Sequence, residues 1–136
     1  MRTIKQSIAR SIKRRQAEVF VRSDFESFGG YDQVGRALRK LVQEGVLLRI
    51  GQGLYAKATR SPLTGAQPVP RVGIRRLGEE SMRKLGVDYV TSQAEQGYNS
   101  GLTTQIPSGR VIGVNKRVRR TIGYNGMYIG FERAHA

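Results

Sequence analysis

Isoleucines at positions 4, 8 and 12 recur every four residues, with Gln6, Arg10, Lys13 and Arg14 between them. That spacing lays one apolar stripe along a helix, so an amphipathic helix is predicted over residues 3–15. Glu18-Val19-Phe20-Val21 is β-branched and aromatic, too short for a helix, and reads as a brief strand or extended connector. In Ser23-Asp24-Phe25-Glu26, Ser23 can cap a helix start while Glu26 reaches back to the Ser23 amide. A second, short helix is therefore predicted, closed by Gly29-Gly30 in the left-handed conformation. Asp32 is expected to cap a third helix, with Val34, Ala37, Leu38, Leu41 and Val42 on its buried stripe and Gly45 at its stop. Val46 to Ile50 and Leu54 to Lys57 then alternate across Gly51-Gln52-Gly53 as a glycine-tipped hairpin.

Helix, short strand, short helix, tight turn, basic helix and hairpin is the element order of a winged helix-turn-helix, here placed at residues 1–58. Residues 59–70 hold three of the four prolines and little periodicity. They are expected to be a linker or a strap over the surface. Residues 71–136 are expected to form a small α/β part. In it, Ile74, Leu77, Met82 and Leu85 mark a helix ended by Gly86, residues 87–90 a strand, and residues 92–100 a short helix. Three strand-like runs follow, at 110–114, 118–124 and 127–132, the last two joined by Asn125-Gly126. Their order predicts a closing antiparallel meander and an α+β fold class.

Charge changes this picture from architecture to partner. Among 136 residues, 24 are Lys or Arg and 10 are Asp or Glu, a net charge of +14 that would gather polyanions. Residues 1–60 carry 13 basic against 5 acidic residues and residues 61–136 carry 11 against 5, so neither part is a simple basic tail. The chain has no Cys and one His, His135. No nucleophile, base or metal triad follows from the spacing of its acids, so neither an enzyme nor a metal or cofactor protein is expected. No run approaches the roughly 18 apolar residues of a membrane span, and Met1-Arg2-Thr3-Ile4-Lys5 lacks the apolar core of a signal peptide. A cytoplasmic protein is expected.

The third helix carries the clearest candidate chemistry. Gln33, Arg36, Arg39, Lys40 and Gln43 are long donors opposite its apolar stripe, able to read guanine or adenine edges in a major groove. Any amphipathic helix turns polar residues outward, but no acidic residue interrupts this run from Gln33 to Gln43. Arg49, Gln52, Lys57 and Arg60, on or just after the hairpin, are candidate phosphate or minor-groove contacts. Arg10, Lys13, Arg14 and Arg15 on the first helix could neutralise phosphates without reading bases. Lys116, Arg117, Arg119 and Arg120 form a further basic cluster between two predicted strands, a second phosphate contact, a docking surface for an acidic protein, or a solvated turn.

Three segments, Phe20 to Phe25, Val34 to Gly45 and Leu48 to Tyr55, together resemble the N-terminal winged helix of the AbiEi family of antitoxins from type IV toxin–antitoxin systems. Tyr98-Asn99-Ser100-Gly101-Leu102-Thr103-Thr104-Gln105-Ile106-Pro107 is similar to a stretch later in that family. The resemblance implies a repressor of its own operon, bound as a winged helix to promoter repeats, which opposes a nucleotidyltransferase-type toxin. Its C-terminal part would be shorter than in the full-length antitoxins. Double-stranded DNA is thus the expected partner, with a homodimer on the repeats as one arrangement. A toxin-binding protein module and a basic RNA-binding winged helix are the other readings.

Overall fold

The computed structural model describes residues 2–60, 67–102 and 109–134 of the chain. It is a mixed α+β protein whose contacts divide it into two compact units, Met1–Val72 and Gly73–Ala136.

In the first unit, helix α1 (Ile4–Arg14) starts on a reciprocal cap. Thr3 Oγ1 accepts from the Gln6 amide at 3.1 Å, and Gln6 Oε1 accepts from the Thr3 amide at 3.0 Å. Strand β1 (Val19–Val21), a 3-10 helix (Arg22–Phe28) and helix α2 (Tyr31–Gln43) follow. Strands β2 (Leu47–Gly51), β3 (Leu54–Arg60) and β4 (Pro68–Pro70) complete the unit. The sheet is antiparallel, with β3 between β1 and β2, and with β4 paired to the end of β3. Ile8 and Ile12 of α1, Val34, Leu38 and Leu41 of α2, and Phe20, Phe25 and Leu47 meet in one buried cluster. The predicted apolar stripes therefore face each other, except that Val42 is only partly buried.

Local geometry corrects three expected caps. Residues 22–28 form a 3-10 rather than an α-helix, and its start is tied by Asp24, whose carboxylate accepts from the Val21 amide at 2.9 Å. Ser23 makes no such cap. A non-helical Phe25 (φ −119°) breaks the segment while burying its ring 5.7 Å from Phe20 and 6.4 Å from Phe28, so core packing overrides helical continuity. Gly29 is extended (φ 169°), not left-handed; a Cβ there would stand 2.8 Å from Ile4 Cδ1, so glycine lets the end of the Ile4 side chain pack close to the turn. Helix α2 begins one residue before Asp32, on Gly30, whose amide donates to Gln33 Oε1 at 3.0 Å. Asp32 lies in the first turn, where its charge favours the helix dipole.

The end of α2 follows expectation. Gly45 is left-handed (φ 78°), its amide donates to Val42 O at 3.1 Å, and the Val46 amide donates to Leu41 O at 3.0 Å. The expected linker is partly structure, because Thr59 and Arg60 prolong β3 and Pro68–Pro70 pairs with Ala58, Thr59 and Arg60. Proline tolerates such a short strand, where few ladder donors are needed. Residues 61–66 of the expected linker lie outside the described residues. Arg71, just after β4, donates from Nε and Nη2 to the buried Glu18 carboxylate at 3.3 and 3.2 Å.

In the second unit, helix α3 (Ile74–Leu85) ends on left-handed Gly86 (φ 70°), and strand β5 (Tyr89–Thr91) and helix α4 (Gln93–Asn99) follow as expected. Strands β6 (Val111–Val114), β7 (Gly123–Tyr124), β8 (Met127–Tyr128) and β9 (Gly130–Arg133) do not form the expected meander. β6 is the middle strand, antiparallel to β5 and parallel to β9, and β7 and β8 pair only with each other. A parallel return needs a crossover, and the chain from 115 to 129 supplies it, so residues 118–122 join no strand. Asn125 (φ 46°) and Gly126 (φ 79°) make the tight turn that their pair signals. Gly78 on α3 lets Ile112 and Ile129 close on the helix, since a Cβ there would meet their Cδ1 atoms at 2.5 and 2.9 Å. Among the described residues no helix is long and apolar enough to cross a membrane. His135 and residues 103–107 of the Gly-Leu-Thr-Thr-Gln-Ile-Pro stretch lie outside the described residues.

A Cβ at Gly123 would sit 2.2 Å from the Met127 carbonyl oxygen, a backbone atom that cannot swing aside. Gly123→Ala is expected to lower unfolding free energy by about 2 kcal/mol in urea denaturation, whereas an unchanged midpoint would show that the β7–β8 hairpin re-forms freely.

Candidate nucleic-acid interface

Helix α2 buries Val34, Ala37, Leu38 and Leu41 and leaves Gln33, Arg36, Arg39, Lys40 and Gln43 exposed, the division its sequence implies. Helical geometry separates these five. Arg39 and Gln43 line a cleft of about 550 Å³ together with Arg49, Gln52 and Gly53 of the β2–β3 hairpin, and with Arg22, Tyr31 and Tyr55. Arg36 and Arg39 line a second cleft of about 240 Å³ with Arg22, Asp32 and Gly35. Lys40 lies about 100° around the helix from Arg39 and lines neither cleft. Gln33 has its side-chain oxygen committed to the Gly30 amide, leaving its amide nitrogen as the outward donor.

The hairpin contributes less than its basic residues suggest. Arg49 is exposed beside a register shift between Arg49 and Gly51, and its Nε donates to the Gly51 carbonyl at 3.3 Å. Gly53 (φ 70°) has open space on its Cβ side, so a ligand backbone can approach the tip. Lys57, expected at phosphate, is buried, and its ammonium donates to the Arg15 carbonyl oxygen. It falls on the inward side of β3, where a long cationic side chain must find an internal acceptor. Arg60 stands at the far end of β3, with its guanidinium over Gly45. It does not belong to the hairpin tip.

Of the first-helix cations, Arg10, Lys13 and Arg14 are exposed, and Lys13 and Arg14 complement the C-terminal end of the α1 dipole. Arg15 is structural. It stacks over Phe25 at 5.3 Å, and its donors are taken by Ser11 Oγ at 3.0 Å and the Asp24 carbonyl at 3.1 Å.

Sequence reasoning passed over Arg22 and Tyr31 as site residues. The Arg22 guanidinium lies 4.0 Å from the centre of the Tyr31 ring, and a Cβ on Gly35 would meet its Nη2 at 2.9 Å, so it lies flat along the first turns of α2. Such stacking stabilises an exposed pair by about 0.5–1 kcal/mol. A weak signal existed in the sequence: a tyrosine at the first position of the basic helix, off its apolar stripe. Arg22, Arg36, Arg39 and Arg49 thus surround the two clefts with Asp32 as their one carboxylate among the lining residues. The resulting field favours an anion in this region.

In the second unit Lys116, Arg117, Arg119 and Arg120 are exposed on the crossover between β6 and β7. Lys116 and Arg117 line a cleft of about 320 Å³ with Val114, Val118, Phe131, Glu132 and Arg133. Arg119 and Arg120 stand outside it. The described residues hold no group of three His, Cys, Asp or Glu that could ligate a metal ion. No family model, curated protein or solved structure matches the chain.

Lys57 separates a structural cation from a binding one. Lys57→Ala should cost about 1–3 kcal/mol of stability by orphaning the Arg15 carbonyl, yet leave the salt dependence of polyanion binding unaltered. A salt slope reduced by about 0.9, one phosphate contact, would return Lys57 to the interface.

Proposed function

We infer that the protein binds double-stranded DNA sequence-specifically through its first unit, used as a winged helix-turn-helix, and acts as a transcriptional repressor or antitoxin. One observation carries this reading: on the exposed face of α2, Arg39 and Gln43 share a cleft with the hairpin residues Arg49 and Gln52, Arg36 and Arg39 share a second one, and in both arginines outnumber carboxylates. A helix of 13 residues flanked by a glycine-tipped hairpin suits a major groove and its adjacent backbone. In this assignment Arg36, Arg39 and Gln43 face bases, and Arg49, Gln52, Arg10, Lys13 and Arg14 face phosphates. Lys40 and Gln33 flank the groove. The role is binding rather than catalysis, and the resemblance to AbiEi antitoxins suggests the protein's own promoter repeats as the target. It also suggests a nucleotidyltransferase-type toxin as a second partner.

The cleft of the second unit favours a further contact of that second kind. Phe131, Val114 and Val118 line it with apolar surface, and Lys116, Arg117 and Arg133 outnumber the single carboxylate of Glu132, a combination suited to an acidic protein surface.

Binding to the upstream region and to scrambled duplex of equal length, followed across a salt series, tests the reading. Wild-type protein should keep a large specificity ratio as salt rises. Arg36→Ala and Arg39→Ala should each reduce that ratio by the equivalent of about 1–3 kcal/mol. A ratio near unity at every salt concentration for the wild type would remove sequence-specific DNA binding.

A further inference from the structure

We propose that Arg22, which lies outside α2, reads a guanine, and that Tyr31 and Gly35 are the positioning residues that hold it for that contact. The proposal rests on the DNA-binding reading above and deepens it by naming a base.

The first unit contains two stacked arginines whose comparison carries the inference. Arg15 lies over Phe25 and spends its donors inside the protein, on Ser11 Oγ and the Asp24 carbonyl. Arg22 lies closer over its ring, 4.0 Å from the centre of Tyr31 against 5.3 Å for Arg15, but has no hydrogen-bond or ion-pair partner among the described residues. Its guanidinium plane is fixed by the ring and by the bare backbone of Gly35, while its in-plane N–H donors stay uncommitted. Tyr31 is 74% exposed, so burial of its ring in the core does not explain its presence.

A half-buried arginine held by stacking alone is prepared for an acceptor from outside. Its planar fork matches the O6 and N7 atoms of guanine, and the stack has already removed much of the rotamer freedom that the contact would otherwise cost. Arg22 borders both clefts lined by Arg39, at the N-terminal end of the helix face assigned to the groove. A phosphate would need only charge at this position. A flat, stacked fork serves bidentate recognition.

The test is selection of bound sequences from a randomised duplex pool by wild-type protein, Arg22→Lys and Gly35→Ala, with binding of selected duplexes measured across salt. Arg22→Lys keeps the charge and loses the fork. Gly35→Ala keeps Arg22 but places a methyl 2.9 Å from Nη2, closer than such atoms approach, and only the tip of a flexible side chain must move. Both variants should lose a guanine preference of at least about fivefold at one position, with an unchanged salt slope and a thermal midpoint near that of the wild type. Tyr31→Leu should show the same loss at the same position.

A guanine preference retained by Arg22→Ala overturns the proposal and leaves the DNA-binding reading intact. So does a uniform loss of affinity in Arg22→Ala with the slope reduced by about 0.9, which would make Arg22 a phosphate contact. A wild-type protein that selects no sequence overturns both.

Discussion

The first unit depends on the packing of α2's apolar stripe against α1 and the aromatic cluster. Val34, Ala37, Leu38 and Leu41 face Ile8, Ile12, Phe20 and Phe25, and every one of these is nearly or fully buried. A helix has one rotational setting that satisfies such a stripe. Removing a single large member costs about 2–5 kcal/mol, comparable to a sizeable part of a small domain's total stability. Once α2 is locked in this way its opposite face is fixed as well, and Arg36, Arg39 and Gln43 are held outward by the core rather than by contacts of their own. Gly29 serves the same packing from outside the helix, since it lets Ile4 close over the turn into α2.

Cations in this protein divide by whether the fold has used their donors. Lys57 and Arg15 join β3, α1 and the 3-10 helix through carbonyl oxygens. Arg71 holds β4 to the rest of the unit through the buried Glu18, and Arg75 does similar work in the second unit through Glu95 at 2.6 Å. Buried charges of this sort need complete pairing, because an orphaned partner costs more than the pair contributes. Around the α2 clefts, Arg49 spends only its Nε, on the Gly51 carbonyl, and Arg22, Arg36 and Arg39 have no hydrogen-bond or ion-pair partner among the described residues. Their mutual repulsion is tolerable in water and would be relieved by an anion, which sets this surface apart from the structural ion pairs.

Much of this was legible in the sequence where periodicity decides structure. The stripes of α1, α2 and α3, the stops at Gly45 and Gly86, and the Asn125-Gly126 turn all follow from helical or turn geometry over a few residues. Sequence reasoning failed where distant residues decide. A capping box at Ser23 was a sound local reading, but burying Phe25 against Phe20 and Phe28 forced a 3-10 segment capped by Asp24 instead. The parallel pairing of β6 with β9 joins residues nearly twenty apart, and no local alternation distinguishes it from a meander. Lys57 was misplaced for a related reason: a lysine in a strand next to a hairpin looks exposed until the strand's inward register is known. Arg22 and Tyr31 escaped notice because neither belongs to a run; only their spatial stacking makes them a pair.

A net charge of +14 would draw this protein to any duplex, so the charge alone carries no information about sequence. Affinity of that origin falls steeply with salt and treats all phosphates alike. Discrimination needs donors whose positions are settled before the ligand arrives, because a mobile side chain can follow whichever acceptor is nearest. The positions settled here are few: the outward face of a helix fixed by its buried stripe, and one guanidinium fixed by a tyrosine ring and a glycine backbone. Among the described residues, the exposed Arg10, Lys13 and Arg14 of α1 and Lys116, Arg117 and Arg119 of the β6–β7 crossover have no such stack, and their natural contribution is to the strength of attraction. Under the DNA-binding proposal, specificity would on these physical grounds be concentrated where packing in the first unit holds a cation still.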